Sequence, residues 1–214
     1  MKPPELTGGN EMGDMSTELR WFGRGELSTK PIEEAIDVDP TVEFRIDDYF
    51  SKSRGFGLKL RGGDKVELKQ LNTSEVIPLL NGACTGRLEE WEKWTLPFHG
   101  SVPDEMRNDR SWTTVVKTRK TWKFDLHADV ARFVSHRVQG TGCNLEFANL
   151  LIGPDGRKAW TIGLEAFGDP EERRRLLLSA CKQFVVEAAD AALRMGQSQS
   201  YPDWLLESAS VAAS

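Results

Sequence analysis

Seven basic residues stand out in pairs two positions apart, with one another or with an acid: Glu18 and Arg20, Lys59 and Arg61, Glu67 and Lys69, Arg87 and Glu89, Lys117 and Arg119. Two further acids, Glu146 and Glu165, stand in apolar surroundings. Residues two apart share one face of a strand. Guanidinium groups grip phosphate oxygens in a two-pronged fork, and ammonium groups act as point charges. Carboxylates hold hard cations such as Mg²⁺ through oxygen. Together these types could hold a polyanion, directly or through a metal ion. On an open sheet the same placement is only the solvated face. The elements that carry the residues decide between the two.

The clearest element is Phe56–Leu71, two alternating runs around Gly62-Gly63-Asp64, which reads as a β-hairpin. Lys59 and Arg61 share one face of its first strand, and Glu67 and Lys69 one face of its second. Leu58, Leu60, Val66 and Leu68 take the opposite faces. Before it, residues 1 to 15 carry Gly, Pro and acids without periodicity and read as a disordered leader. Ser16–Phe22 is predicted as a strand, Pro31–Ile36 as a short helix and Thr41–Ser51 as a second strand, with Asp47 and Asp48 ending it.

After the hairpin, residues 72 to 85 read as a connection, and Arg87–Leu96 suits a fifth strand of ambiguous register. A loop spans residues 97 to 110, and Ser111–Leu126 is a long strand. Val130, Phe133, Val134 and Val138 predict a short helix over residues 128 to 138. Cys143–Ile152 and Lys158–Phe167 form a second hairpin around Gly153-Pro-Asp-Gly. Asp169-Pro170-Glu171-Glu172 then opens a helix that runs to Gly196, with an N-cap, a proline at its first position and a capping-box acid. Residues 197 to 214 are read as a C-terminal tail after the domain of residues 16 to 196, with Tyr201, Trp204 and Leu205 either adding a few contacts or fraying.

Hydrophobic content of 39%, charged content of 29% and a net charge of −5 describe a globular chain and argue against a general nucleic-acid binder. Cys84, Cys143 and Cys181 form no metal-type spacing and read as free thiols. His99, His127 and His136 show no catalytic context. No apolar run is long enough to span a bilayer, and no basic-then-apolar leader is evident, so the cytoplasm is the expected location.

About eight strands in hairpin-like succession, closed by one long helix, predict an α+β, mainly β fold. It is an eight-stranded antiparallel barrel, closed or nearly closed, with helices packed outside. Helices on the apolar outer face leave the charged face only the lumen. Unpaired charges there would cost several kcal/mol each, so the lumen must be wet, internally paired or filled by an ionic ligand.

The order of these segments resembles the CYTH-like superfamily, the triphosphate tunnel metalloenzymes, over roughly residues 16 to 190. Asp48-Tyr49-Phe50, Gly57-Leu-Lys-Leu-Arg, Val66-Glu-Leu-Lys, Arg87-Leu-Glu, Lys117-Thr-Arg and the late acids Glu146 and Glu165 carry the likeness. The resemblance implies an eight-stranded tunnel with charged residues inside and helices outside. The first strand departs from the family's Glu-x-Glu-x-Lys opening: Ser16-Thr-Glu18-Leu-Arg20 has Ser16 in place of the first acid, with Asp14 and Glu11 nearby.

The expectation that follows is a metal-dependent hydrolase of triphosphate or another polyphosphate-bearing small molecule, in effect a triphosphatase. Arg20, Lys59, Arg61, Lys69, Arg87, Lys117 and Arg119 would grip phosphate. Glu18, Glu146 and Glu165 would hold Mg²⁺ or Mn²⁺, with Glu67 and Glu89 as further lumen acids. No residue is singled out as catalytic. The alternatives are a non-catalytic binding protein for a phosphorylated or polyanionic ligand, and an adenylate-cyclase-like lyase. A lipocalin-like carrier would need an apolar lumen. Family members are often homodimers, so a second copy of the chain is an expected partner; no membrane partner is expected.

Overall fold

The computed structural model describes residues 13–36, 38–50, 52–63, 65–97, 111–127, 130–135, 138–185 and 190–211. Most of the expected leader, the loop after residue 97 and part of the long helix therefore lie outside the described residues.

The chain runs through β1 (Asp14–Arg24), α1 (Lys30–Ile36), β2 (Thr41–Phe50), β3 (Phe56–Arg61), β4 (Lys65–Leu79) and β5 (Cys84–Pro97). It continues through β6 (Trp112–His127), β7 (Val130–Phe133), β8 (Gly142–Ile152), β9 (Arg157–Phe167) and α2 (Pro170–Ala180). A π-helical turn (Cys181–Val185), α3 (Asp190–Met195), β10 (Gln197–Ser198) and α4 (Tyr201–Val211) complete it. Strand order is β10-β1-β5-β4-β3-β2-β6-β8-β9, and β9 pairs back onto β1, so eight strands close into an antiparallel barrel. Closure removes the free edges that an open sheet would expose. β7 pairs with the end of β6, and β10 with β1.

Three predicted elements are corrected. Residues 72–79 are not a connection: after a bulge between Leu71 and Thr73, β4 stays paired with β5 as far as Leu79 opposite Cys84. Pro78, which marks a break in the sequence, sits near the strand end, where its missing N–H costs little. The helix predicted over residues 128 to 138 is instead the strand β7 at Val130–Phe133. Its period-two pair decides this, since Ala131 is buried and Phe133 packs its ring 4.3 Å from that of Phe124. The long helix passes into a π-helical turn at Cys181, and residues 186–189 lie outside the described region.

The start of α2 is as expected. Asp169 Oδ1 accepts from the backbone N–H groups of Glu171 and Glu172, and Pro170 is the first helical residue. The reciprocal half of the capping box is not made. Thr141 takes it over, donating its hydroxyl to Glu172 and accepting the N–H of Asp169.

On one side of the barrel the outer face carries the main core. Leu19 and Trp21 of β1, Trp122 and Phe124 of β6, Leu145 and Phe147 of β8, and Ile162 and Leu164 of β9 pack beneath Ile32, Ile36, Leu176 and Leu177 of the helices. Among the described residues, helices cover the outer face on that side, as expected. On β2, Val42, Phe44 and Ile46 are exposed.

The tail is part of the barrel, not an appendage. Trp204 and Leu205 of α4 pack with Phe22, Val115, Ala148, Leu150 and Ile152. These strand residues share the inward parity of Arg20, Lys117 and Glu146, so one end of the lumen is apolar and filled by α4. The tunnel becomes a blind pocket.

Candidate functional site: a blind cationic pocket

The lumen above α4 encloses a cavity of about 100 Å³ that opens toward solvent. Its lining contains eight basic side chains, Arg20, Arg45, Lys59, Arg61, Lys69, Lys93, Lys117 and Arg119, against four carboxylates, Glu18, Glu67, Glu146 and Glu165. Tyr49, Gly57, Leu58, Trp91, Ser200, Tyr201 and Pro202 complete the wall and floor. Ten of the twelve charged residues that sequence reasoning placed in a lumen therefore meet here: Arg20, Lys59, Arg61, Lys69, Lys117, Arg119, Glu18, Glu67, Glu146 and Glu165.

Arg87 and Glu89 do not. Arg87 lines a separate recess with Arg194, Gln197 and Ser198, and its backbone N–H donates to the Ser198 hydroxyl at 2.7 Å. Glu89 is buried below the pocket, accepting from Trp91 Nε1 at 3.0 Å, with Oε1 left without a partner. The ambiguous register of β5 is resolved with residues 87, 89, 91 and 93 facing inward. Glu90 is on the other face, where it meets Arg173 of α2.

The charges form three groups. On β3 and β4, Glu67 Oε2 lies 2.6 Å from Lys59 Nζ, and its other oxygen accepts from Arg61. Burial raises the Glu67 carboxyl, but Lys59 and Arg61 overcome this and bring it down to about 2. Burial lowers the Lys59 ammonium despite Glu67.

The second group spans β1, β8 and β6. Glu146 accepts from Arg20 Nη1 at 2.9 Å and pairs with Arg119. Burial opposes ionisation of Glu146, but Arg20, Arg119 and Lys117 hold it well below the usual carboxylate range. Gly163 makes this possible. It lies opposite both Arg20 and Glu146, and a Cβ there would fall 2.4 Å from Arg20 Cζ. Arg119 also donates to Glu43 at 2.6 Å.

The third group joins β1, β9, β4 and β5. Glu18 and Glu165 are cross-strand partners, and Lys69 pairs with Glu18 while lying 3.5 Å from Glu165. Lys93 Nζ is also 3.5 Å from Glu165. Lys69, against burial and helped by Lys93, holds the Glu165 carboxyl well below its ordinary value. Ser16, where the resemblance implies an acid, donates its hydroxyl to Glu18 at 3.0 Å.

Deeper still, Asp47 does not simply end a strand. It is fully buried, 3.0 Å from both Lys117 Nζ and Arg45 Nε. Lys117 donates to the Tyr49 hydroxyl at 2.5 Å and lies 4.1 Å from the centre of the Tyr201 ring. Burial pushes the Lys117 ammonium down to about 7 despite Asp47. The Arg45–Asp47 contact lacks hydrogen-bond geometry, leaving Arg45 Nε and Nη1 and also Arg119 Nε as buried donors without acceptors. Such donors are uncommon in folded proteins.

Sequence reasoning missed Arg45, Tyr49, Lys93 and Tyr201 as pocket residues. Arg45 and Tyr49 carried a signal, because Glu43, Arg45, Asp47 and Tyr49 form a period-two row. Lys93 extends the row of Arg87, Glu89 and Trp91. Tyr201 had none, since its place depends on where the tail docks. Its ring stacks on Tyr49 at 5.1 Å and meets Phe22 edge-on at 4.8 Å.

A divalent ion of the kind the resemblance implies needs several oxygen ligands gathered together. Among the described residues no group of three or more acids, histidines or cysteines is placed to hold one. Glu18, Glu146 and Glu165 are each engaged by built-in cations, and Glu146 is turned to the arginines. As arranged, the three acids do not fit a metal site. Asp14 is exposed opposite Lys93 on β1, and Glu11 lies outside the described residues.

No family model matches this chain, and no curated protein does either. Among solved structures, a conserved hypothetical protein from Pyrococcus furiosus is 14% identical, with a TM-score of 0.46 over 88% of this chain and 98% of that one. The Mimivirus capping enzyme triphosphatase is 9% identical, with a TM-score of 0.45 over 83% and 90%. The S. pombe RNA triphosphatase, in complex with the Spt5 CTD, is 10% identical, with a TM-score of 0.38 over 88% and 82%. At such scores these likenesses carry no argument about activity. The closed eight-stranded barrel with charges inside stands on this chain's own strand pairings, and it is the architecture that the resemblance to triphosphate tunnel proteins implied.

Proposed function

We propose that this protein binds the polyphosphate chain of a small molecule in the blind pocket. One observation carries this reading: eight basic side chains converge on four carboxylates in one enclosed space, with buried guanidinium donors left over. A self-paired lumen would match its charges. With Asp47 and Glu43, which pair with Lys117, Arg45 and Arg119 from outside the lining, cations still exceed acids by eight to six, and phosphate oxygens suit the forked donors of Arg45, Arg61 and Arg119. The pocket is closed below by Tyr201 and α4, so the phosphate end would enter first and the rest of the molecule would remain toward the mouth.

Hydrolysis of the bound chain is the second reading, and Glu165 favours it. Its side chain is 28% exposed, so the carboxylate has room to hold a water beside a bound phosphate. The surrounding cations would stabilise charge building on a leaving phosphate.

Phosphate release from tripolyphosphate and ATP, with and without Mg²⁺ or Mn²⁺, tests the two readings alongside thermal unfolding with each ligand. A rise in melting temperature without phosphate release establishes a binding protein. Release establishes a hydrolase. No rise and no release with either ligand defeats both.

A further inference from the structure

We propose that Lys93, together with Lys69, is the pocket's built-in counter-cation, so that a polyphosphate chain is held there without a divalent metal ion. The inference rests on the pocket being a polyphosphate site.

Lys69 and Lys93 are direct cross-strand partners on β4 and β5. Like charges placed so are destabilising unless something holds them together. Here Glu18 and Glu165, themselves cross-strand partners on β1 and β9, do so. Lys69 pairs with both acids and Lys93 with Glu165 at 3.5 Å, so two ammonium groups and two carboxylates form one cluster at the pocket wall.

That cluster sits where a metal ion would have to bind, between the two facing carboxylates. A divalent ion entering there would have to displace two ammonium groups held by opposite charge. Ser16 brings a hydroxyl, not a third charge, and spends its proton on Glu18. The ammonium groups have capacity left. Each carries three N–H donors, and the Lys69 and Lys93 side chains line the pocket and remain 21% and 25% exposed. Two positive charges, anchored by carboxylates from behind and open in front, perform the bridging that a metal ion performs between acids and phosphate oxygens. Lys93 supplies the second of those charges.

Calorimetric titration of tripolyphosphate into the full-length protein tests this in EDTA and again in Mn²⁺, with electron paramagnetic resonance reporting Mn²⁺ bound to the protein alone. The expected result is binding in EDTA within about threefold of that in Mn²⁺, and no protein-bound Mn²⁺. Lys93→Ala should weaken binding in EDTA by about tenfold or more, the loss of one charge-assisted contact, while Lys93→Arg retains it. Lys93→Glu, which sets a third carboxylate beside Glu18 and Glu165, should bind Mn²⁺ detectably. Tripolyphosphate binding that requires Mn²⁺ would overturn the inference and leave the proposed site standing. Unchanged EDTA affinity in Lys93→Ala would overturn it too. Absence of binding with and without Mn²⁺ would remove the proposed site and the inference together.

Discussion

Gly163 leaves the room in which Arg20 meets Glu146 in the pocket. With a Cβ at that position the Arg20 guanidinium would have to shift away from Glu146, which would keep Arg119 as its partner. Losing one of two charge-assisted contacts to a carboxylate that keeps the other costs about 1.5–3 kcal/mol. Gly163→Ala should lower the denaturation midpoint by a corresponding amount, and combining it with Arg20→Ala should cost clearly less than the sum of the two. A second residue-scale consequence concerns Glu89. Burial raises its carboxyl from 4.5 to about 7, against the Trp91 hydrogen bond. A group held protonated by the fold leaves stability intact below the unfolded value and withdraws it as pH rises through the folded one. The wild type should therefore lose stability between pH 4.5 and 7. Glu89→Gln, which keeps an acceptor for Trp91, should match it at pH 4.5 and exceed it by roughly 3 kcal/mol at pH 8. Urea unfolding at the two pH values measures this, and equal curves at pH 8 would show that Glu89 is ionised without penalty.

At the scale of elements, α4 is what turns a tunnel into a pocket. Trp204 stacks on Phe22 with ring centres 4.5 Å apart, and Leu205 is buried beside it. Trp204→Ala should destabilise the protein by about 3–5 kcal/mol. It should also loosen the Tyr201 floor, so tripolyphosphate should give a smaller rise in melting temperature than in wild type. A full rise would mean that the floor plays no part in holding ligand. The start of α2 was legible because a cap is local: Asp169, Pro170 and Glu172 act within one turn. β7 was not, because spacing among Val130, Phe133 and Val134 fits a helix as well as a strand. Pairing with the end of β6 just upstream, and the Phe124 ring nine residues before Phe133, settle it. The same holds for the second half of β4, whose strand form comes from β5 across the hairpin and not from its own residues.

For the whole molecule, a net charge of −5 coexists with a pocket in which cations outnumber acids two to one. The acids that balance the total lie mostly outside the pocket, so composition conceals the site. Binding of tripolyphosphate should weaken as NaCl rises from 50 to 300 mM, because the mouth is open to screening. Ligand at a hundred times its dissociation constant should stabilise the fold by about 2.7 kcal/mol. Affinity independent of salt, measured by calorimetry, would place the ligand elsewhere. Period-two placement alone determined that Lys59 and Arg61, Glu67 and Lys69, and Lys117 and Arg119 each share a strand face, since side-chain alternation is a property of the backbone. Their order along the chain was enough to expect a barrel. Only the tertiary structure decided which charges meet, because pairing depends on register between strands far apart in sequence. It joined Glu146 to Arg20, set Lys93 beside Glu165 and buried Asp47 under Lys117. It also sent Arg87 to a separate recess and Glu89 beneath the pocket, and brought the tail back to close the lumen.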